Sequence, residues 1–252
     1  VRVIHADPDG RNINNGCGST HPQDLQRAVV EHGAAAGLAF DGDADRVLAV
    51  DETGALVDGD HLLALFAADL RARQRLAHDT LVVTVMSNLG LRLAMKDAGV
   101  GVVETAVGDR YVLEAMEAGG FTLGGEQSGH IIFGELATTG DGLLAGLQLL
   151  DLVRRSGRSL SSLAAGAMTA LPQVLHNVRV ANRDALAGAA AVWAEVAAVE
   201  KELGERGRVL LRPSGTEPVV RVMVEAPDAH TADTVAARLV ATVEGSLGPA
   251  TP

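Results

Sequence analysis

Three short loops carry side chains whose types and spacing suit chemistry. In "FDGDADR", residues 40–46, Asp41, Asp43 and Asp45 occupy alternate positions between two apolar runs. Three carboxylates held close repel one another unless a cation neutralises them, and an all-oxygen site suits Mg²⁺ or Ca²⁺. An EF-hand reading puts Leu48 at position 8 and Glu52 at position 12. However, Arg46 stands at position 6, where that loop needs glycine, and the flanks are strand-like. A phosphatase-type aspartyl nucleophile lacks a supporting loop pattern, and a solvated acidic turn leaves the repulsion unanswered; metal binding is the favoured reading. In "GGEQSGH", residues 124–130, glycines allow close backbone approach. Glu126, Ser128 and His130 alternate there, so an extended segment points all three to one side. A carboxylate and a hydroxyl suit sugar hydroxyls, and an imidazole suits proton transfer near neutral pH, although a lone histidine is more often structural. In "RPSGTEPVVR", residues 212–221, a Ser-Gly-Thr turn can offer N–H groups and hydroxyls to an anion. Arg212 and Arg221 can add charge-assisted bonds to a phosphate; the alternative is a plain hairpin with surface arginines.

The elements that must hold these loops alternate between strand and helix through the first two-thirds of the chain. Strands are expected at 1–5, 37–40, 47–50, 80–86 and 100–105, with two more around the loop at 124–130. Helices are expected over 19–34, with Ser19 or Thr20 as cap and Leu25, Ala28 and Val29 as the buried stripe, then over 60–73, 87–99, 109–120 and 140–157. From about 171 the order becomes strand, helix, strand, strand, helix, which predicts a small α+β domain. The alternation before that point implies mainly parallel or mixed sheets with helices on their faces.

Composition narrows the class. The 252 residues are 47% hydrophobic but only 2% aromatic, so the cores must be built from Val, Leu and Ala. A formal net charge of −11 argues against nucleic acid or an anionic membrane as partner. The single cysteine, Cys17, excludes a disulfide framework and a thiolate zinc cluster. No apolar run of about 18 residues appears and no signal peptide opens the chain, so a cytoplasmic location is expected.

The three loops together resemble the α-D-phosphohexomutase superfamily, over a stretch running from Asp9 to about Ala226. The similarity rests on "DGDADR", "GEQSGH" and "RPSGTEP" in that order. Within it, "GCGSTHP", "VGDRYVLEAM" and "RVLLRPSGTEPVVRVMVE" look like the branch that interconverts glucosamine 6-phosphate and glucosamine 1-phosphate, for UDP-N-acetylglucosamine and the cell wall. The phosphomannomutase/phosphoglucomutase branch and a non-catalytic phosphosugar-binding module are the alternatives. The resemblance implies two α/β domains with mixed sheets, 1–55 (incomplete) and 56–170, and a smaller α+β C-terminal domain, 171–252. It makes Asp41, Asp43 and Asp45 ligands of one Mg²⁺ ion and sets Arg46 beside the transferring phosphoryl group. Glu126 and Ser128 would hold sugar hydroxyls, with His130 the general acid/base. Arg212, Ser214, Gly215, Thr216 and Arg221 would grip the unreacting phosphate, and Arg110 would also face the substrate, unless the 108–110 segment merely caps its helix.

The implied chemistry passes a phosphoryl group from a phosphoserine to the sugar and back, through a glucosamine (or glucose) 1,6-bisphosphate that also serves as activator. That serine belongs to a run like "SASHNP", which this sequence does not contain; "GSTHP" at 18–22 reads as a helix cap. The expectation is therefore a chain that begins inside the second domain, lacks the N-terminal serine domain, binds metal weakly and is inactive alone. Its expected partners are a phosphosugar substrate, the N-terminal domain of a longer protein and, as assembly, a homodimer.

Overall fold

The computed structural model describes residues 1–214 and 217–248, which pack as two compact units, 1–169 and 170–252. In the first, the opening coil leads to helix α1 (Gln23–His32), strands β1 (Ala36–Phe40), β2 (Val47–Asp51) and β3 (Leu56–Val57), and helix α2 (Gly59–Ala72). Strand β4 (Thr80–Thr84), helix α3 (Leu89–Asp97), strand β5 (Gly101–Thr105) and helix α4 (Asp109–Gly119) follow. Strands β6 (Leu123–Gly125) and β7 (Ile131–Phe133) and helices α5 (Gly142–Ser156) and α6 (Leu160–Ala167) complete it.

Residues 1–5 form no strand, contrary to expectation. Among the described residues no neighbouring strand offers them a ladder, and they lie exposed, tied to α1 by Arg2–His32 (3.2 Å) and His5–Asp24 (3.0 Å). The cap expected for α1 also fails. The helix starts at Gln23 behind Pro22 with no side-chain cap, while the Ser19 N–H donates to the Phe40 carbonyl (2.9 Å). Of the expected stripe, Val29 is buried and Leu25 and Ala28 only partly so.

Two sheets organise this unit. The first, β1-β2-β3, is antiparallel throughout. A Cβ at Gly37 would strike Val29 and Leu25 of α1, whereas Leu38 lies against Gly146 of α5. Adjacent strand residues face opposite ways, so α1 covers one face and α5 the other. The second sheet, β5-β4-β6-β7, is mixed: β4 is parallel to β5 and β6, and β6 runs antiparallel to β7. The same alternation sorts its packing. Leu81 and Val83 join the core beneath α2 and α3, while Val82 and Ile132 pack with Val112 and Met116 of α4. Helix α6 is absent from the expectations because "LSSLAAGA" carries no distinct polar face; its first turn is capped by Ser159 and by the Glu52 carboxylate, which accepts from the Ser161 N–H (3.2 Å) and hydroxyl.

The second unit is β8 (Gln173–Arg179), α7 (Ala190–Leu203), β9 (Arg208–Pro213), β10 (Val219–Glu225) and α8 (Ala229–Leu247), in the expected order. The first helix expected in this unit opens as a 3₁₀ turn, Arg183–Gly188, before α7 begins. The sheet order is β8-β10-β9, antiparallel. Val220, Val222 and Val224 of β10 pack with Val196 and Val199 of α7 and Val235 and Leu239 of α8. At the far end of the β9–β10 ladder, Arg208 makes a two-pronged bond to the fully buried Glu225 (2.7 and 3.1 Å).

Candidate functional site

The six residues joining β1 to β2 fold back on themselves. The Arg46 N–H donates to Asp41 Oδ1 (3.2 Å) and the Ala44 N–H to the Asp41 carbonyl (3.2 Å). Ala44 sits at φ 57°, a left-handed conformation uncommon for alanine. A neighbouring backbone holds it there: the Gly142 N–H at the start of α5 donates to the Ala44 carbonyl (2.9 Å). Any Cβ at Gly142 would come within 2.5 Å of the Arg46 carbonyl, so only glycine permits the approach. In this turn Asp41, Asp43 and Asp45 each present an oxygen, all within 4.8 Å of one another. Arg46 Nε lies 3.7 Å from both Asp41 and Asp45.

The loop between β6 and β7 is stitched to this turn. Arg46 and His130 form a β-bridge, and the Val47 N–H donates to the Gly129 carbonyl (3.0 Å). His130 is 2% exposed. Its Nδ1 is 3.0 Å from Asp45 Oδ2, and its Nε2 is 3.1 Å from the Gly140 N–H. The Gly140 N–H can only donate, so Nε2 is the bare nitrogen and Nδ1 carries the proton given to Asp45. Asp45 Oδ1 is buried with no hydrogen-bond partner. In the ligand-free chain the ring is enclosed and both nitrogens are engaged.

The expected common direction of Glu126, Ser128 and His130 is corrected, because the segment turns instead of staying extended. The Gly129 N–H donates to the Glu126 carbonyl (3.0 Å), and Gly129 takes φ 95°. Glu126 and Ser128 keep some exposure while His130 turns inward. Glu126 Oε1 accepts from the Gly108 N–H (3.0 Å), and the Ser128 hydroxyl donates to Oε2 (3.4 Å). Gly108 is thus the member of the 108–110 segment that reaches the loop. Arg110 is highly exposed and pairs instead with Glu114 one turn along α4 (2.7 Å), which raises its already high pKa. Gly140 and Gly142 were not among the expected site residues, and Gly108 entered only as part of the 108–110 segment. Their signal was present as glycines at the starts of helices in "AVGDR" and "TTGDG", but which loop they touch depends on tertiary packing.

In the second unit, Arg212 of β9 and Arg221 of β10 are directly opposite, on the face away from α7 and α8. Burial, then the charge of Arg221, pushes the Arg212 guanidinium down from its ordinary range. Arg221 Nε is buried without a hydrogen bond, and the Arg221 guanidinium lies 3.9 Å from Glu217. Ser214 is buried; its N–H donates to the Val219 carbonyl (2.9 Å), and its Oγ accepts from the Glu217 N–H (3.3 Å). Gly215 and Thr216 lie outside the described residues.

Two family models match. Residues 58–171 fit "Phosphoglucomutase/phosphomannomutase, alpha/beta/alpha domain III", and residues 175–242 fit the C-terminal domain of the same family. Among curated proteins, the chain is 58% identical over 243 residues to the phosphoglucosamine mutase of Rhodococcus jostii (strain RHA1), covering 96% of this chain and 54% of that protein. It is 59% identical over 239 residues to the enzyme of that name from Nocardia farcinica, covering 95% and 52%. The chain therefore spans about half the length of these relatives. Among solved structures, the N-acetylphosphoglucosamine mutase of Aspergillus fumigatus, in complex with GlcNAc-6P and magnesium, superposes with a TM-score of 0.74 at 25% identity, over 92% of this chain and 53% of that one. No helix among the described residues is long and apolar enough to cross a membrane.

Proposed function

Because the chain belongs to the phosphoglucomutase/phosphomannomutase family, we propose that it carries the metal, sugar and phosphate loops of a phosphoglucosamine mutase. The reaction would interconvert glucosamine 6-phosphate and glucosamine 1-phosphate in the cytoplasm. The observation that carries this reading is the joining of the carboxylate turn to the 126–130 loop within one unit, through the Arg46–His130 bridge.

The residues present suit a divalent metal. Three carboxylates converge, and Asp45 Oδ1 is buried and accepts no hydrogen bond, with Arg46 Nε 3.7 Å away. Asp41, Asp43 and Asp45 would hold one Mg²⁺, whose chemistry when bound is to offset charge on a transferring phosphoryl group. Arg46 would add its guanidinium to the same group. Glu126, fixed by Gly108 and Ser128, would accept hydrogen bonds from sugar hydroxyls. Arg212 and Arg221 would grip the phosphate at the sugar's other end, alternately that of the 6-phosphate and of the 1-phosphate, as a 1,6-bisphosphate turns over. Phosphoryl transfer depends chiefly on such positioning and charge neutralisation. The phosphoryl donor, a serine phosphate, would come from the N-terminal half that the relatives have.

A chimaera with the N-terminal half of the Rhodococcus jostii relative placed ahead of Val1 tests the reading. It should convert glucosamine 6-phosphate in the presence of Mg²⁺ and a 1,6-bisphosphate, while the 252-residue chain should not. Preference of the chimaera for glucose or mannose phosphates would move the assignment to the phosphomannomutase/phosphoglucomutase branch. Robust turnover by the 252-residue chain alone would overturn the dependence on an external serine.

A further inference from the structure

We infer that the phosphate grip of the second unit extends onto its third strand, where Arg179 of β8 is a further phosphate-binding residue. The inference rests on the phosphate reading of Arg212 and Arg221. Strand register carries it. Arg179 lies directly opposite Val219, and Asn177 directly opposite Arg221, which itself faces Arg212 across the other ladder. Val178, between them in sequence, is buried in the core with Val196 of α7 and Leu239 of α8. Asn177 and Arg179 therefore project from the opposite face, the one that bears Arg212 and Arg221. On that face the rung nearest the β9–β10 connection reads Arg179, Val219 and Ser214, whose N–H donates to the Val219 carbonyl (2.9 Å). The next rung reads Asn177, Arg221 and Arg212. Diagonal neighbours on paired strands stand roughly 7–8 Å apart, within reach of long side chains, so Arg179 and Arg221 can meet one phosphate.

The charges along this face are sorted. At its far end Arg208 is neutralised by Glu225 on the same rung (2.7 and 3.1 Å), and an apolar rung of Leu175, Met223 and Leu210 follows. Towards the connection the arginines lack such a partner. The third place on the Arg212–Arg221 rung is held by neutral Asn177. Arg179 is exposed, and its side chain makes no hydrogen bond or ion pair among the described residues. The carboxylate that does approach, Glu217, is 3.9 Å from the Arg221 guanidinium and largely exposed itself. Its backbone carbonyl accepts from Arg183 (2.8 Å), which steadies the connection from the 3₁₀ turn. An exposed arginine is ordinary by itself; the register is what sets this one apart. In a chain of net charge −11, three arginines so short of carboxylates suit an anion, and a phosphate monoester offers its oxygens to several guanidinium forks at once.

The test is inorganic phosphate binding to the 252-residue chain, read from the broadening of the phosphate ³¹P resonance at low salt, with circular dichroism to confirm folding. Arg221→Gln reports on the site itself and should weaken binding by about 10- to 100-fold, the scale of a lost charge-assisted bond. Arg179→Gln should weaken it by about 10-fold, at the lower end of that scale because the residue is more exposed. Arg179→Lys keeps the charge without the fork and should recover part of the loss. Arg206→Gln removes the same charge just before β9, at the end of the sheet far from the connection, and should bind as the parent does. In the chimaera Arg179→Gln should raise KM for glucosamine 6-phosphate and leave kcat nearly unchanged, because the grip serves ground state and transition state alike. Parent-like phosphate binding by folded Arg179→Gln, with Arg221→Gln impaired, overturns the inference and leaves the phosphate site standing. An equal loss in Arg179→Gln and Arg206→Gln would make the effect one of net charge and overturns it as well. Absence of phosphate binding by the parent, or binding unchanged in both Arg221→Gln and Arg179→Gln, overturns the phosphate reading and the inference with it.

Discussion

Each unit of this chain holds a cluster of like charges, and the two clusters have opposite sign. In residues 1–169 three carboxylates share one turn; in residues 170–252 two guanidiniums share one rung of a β-ladder. The supports differ. The carboxylates ride on an irregular loop that spends a left-handed alanine, three close-packed glycines and a buried histidine to hold its shape. The arginines need no such scaffolding, because strand register alone places them opposite each other. Like charges directly opposite on a sheet are destabilising, and Arg212 shows it, its cationic form disfavoured by burial and then by Arg221. Both clusters hold repulsion that a ligand of opposite charge would relieve. On the proposed reading, geometry that is hard to build would serve one small cation met from several directions, and geometry that comes free with the sheet would serve a larger anion.

The largest expected effect falls on the elaborate side. In the chimaera, Asp43→Asn should cut turnover by roughly 10²- to 10³-fold, the scale of losing a main electrostatic stabiliser of a transition state; an unchanged kcat would remove the turn from the reaction. On the simple side, Arg221→Gln should weaken inorganic phosphate binding by about 1.5–3 kcal/mol, the scale of a charge-assisted bond. The same variant should leave the ligand-free chain as stable or slightly more so in urea, because it relieves the pairing with Arg212. A marked loss of stability would mean that the two arginines are held by something other than tolerance of their repulsion.

Hydrogen exchange sharpens the contrast without mutation. Mg²⁺ should slow exchange at residues 44–47 and 129–130 and leave 219–223 unaffected, while phosphate should do the reverse. Equal protection by either ion at both sites would break the pairing of cluster with ligand. The smallest effect concerns a carboxylate that is paired instead of crowded. Hydrogen bonds from the Ser161 side chain, chiefly, hold Glu52 at about 2, down from 4.5. Since the folded value lies below the unfolded one, its contribution is complete above about pH 4.5 and fades as the pH falls towards 2. Ser161→Ala should remove this contribution near neutral pH and flatten the acid limb of the stability curve over that interval, as followed by circular dichroism.

Much of this was legible in the sequence because it is local. Alternating apolar residues around "DGDADR" placed β1 and β2, and Asp141 announced the start of α5. The three aspartates converge because a short turn between antiparallel strands leaves little alternative. What stayed hidden depends on partners distant in the chain. Nothing near His130 says that Gly140 and Asp45 will occupy its two nitrogens, so a free imidazole was the natural reading. The pattern of residues 1–5 is that of a strand, but a strand exists only beside another, and no ladder forms there among the described residues. Arg110 points forward along its own helix because Glu114 is four residues further on, a local signal that the family resemblance of "GDR" outweighed.

The first sheet ends on β1, where "AGLAF" carries no charged side chain and no proline. Along its outer border the Phe40 carbonyl is occupied by the Ser19 N–H, and no further strand of the described residues continues the ladder. Proteins usually blunt such borders with lysine, proline or a bulge, because an open one templates the addition of a foreign strand. Self-association at this seam, growing with protein concentration, is the behaviour to watch when the chain is purified, and a lysine placed along β1 is the remedy that would leave both charge clusters untouched.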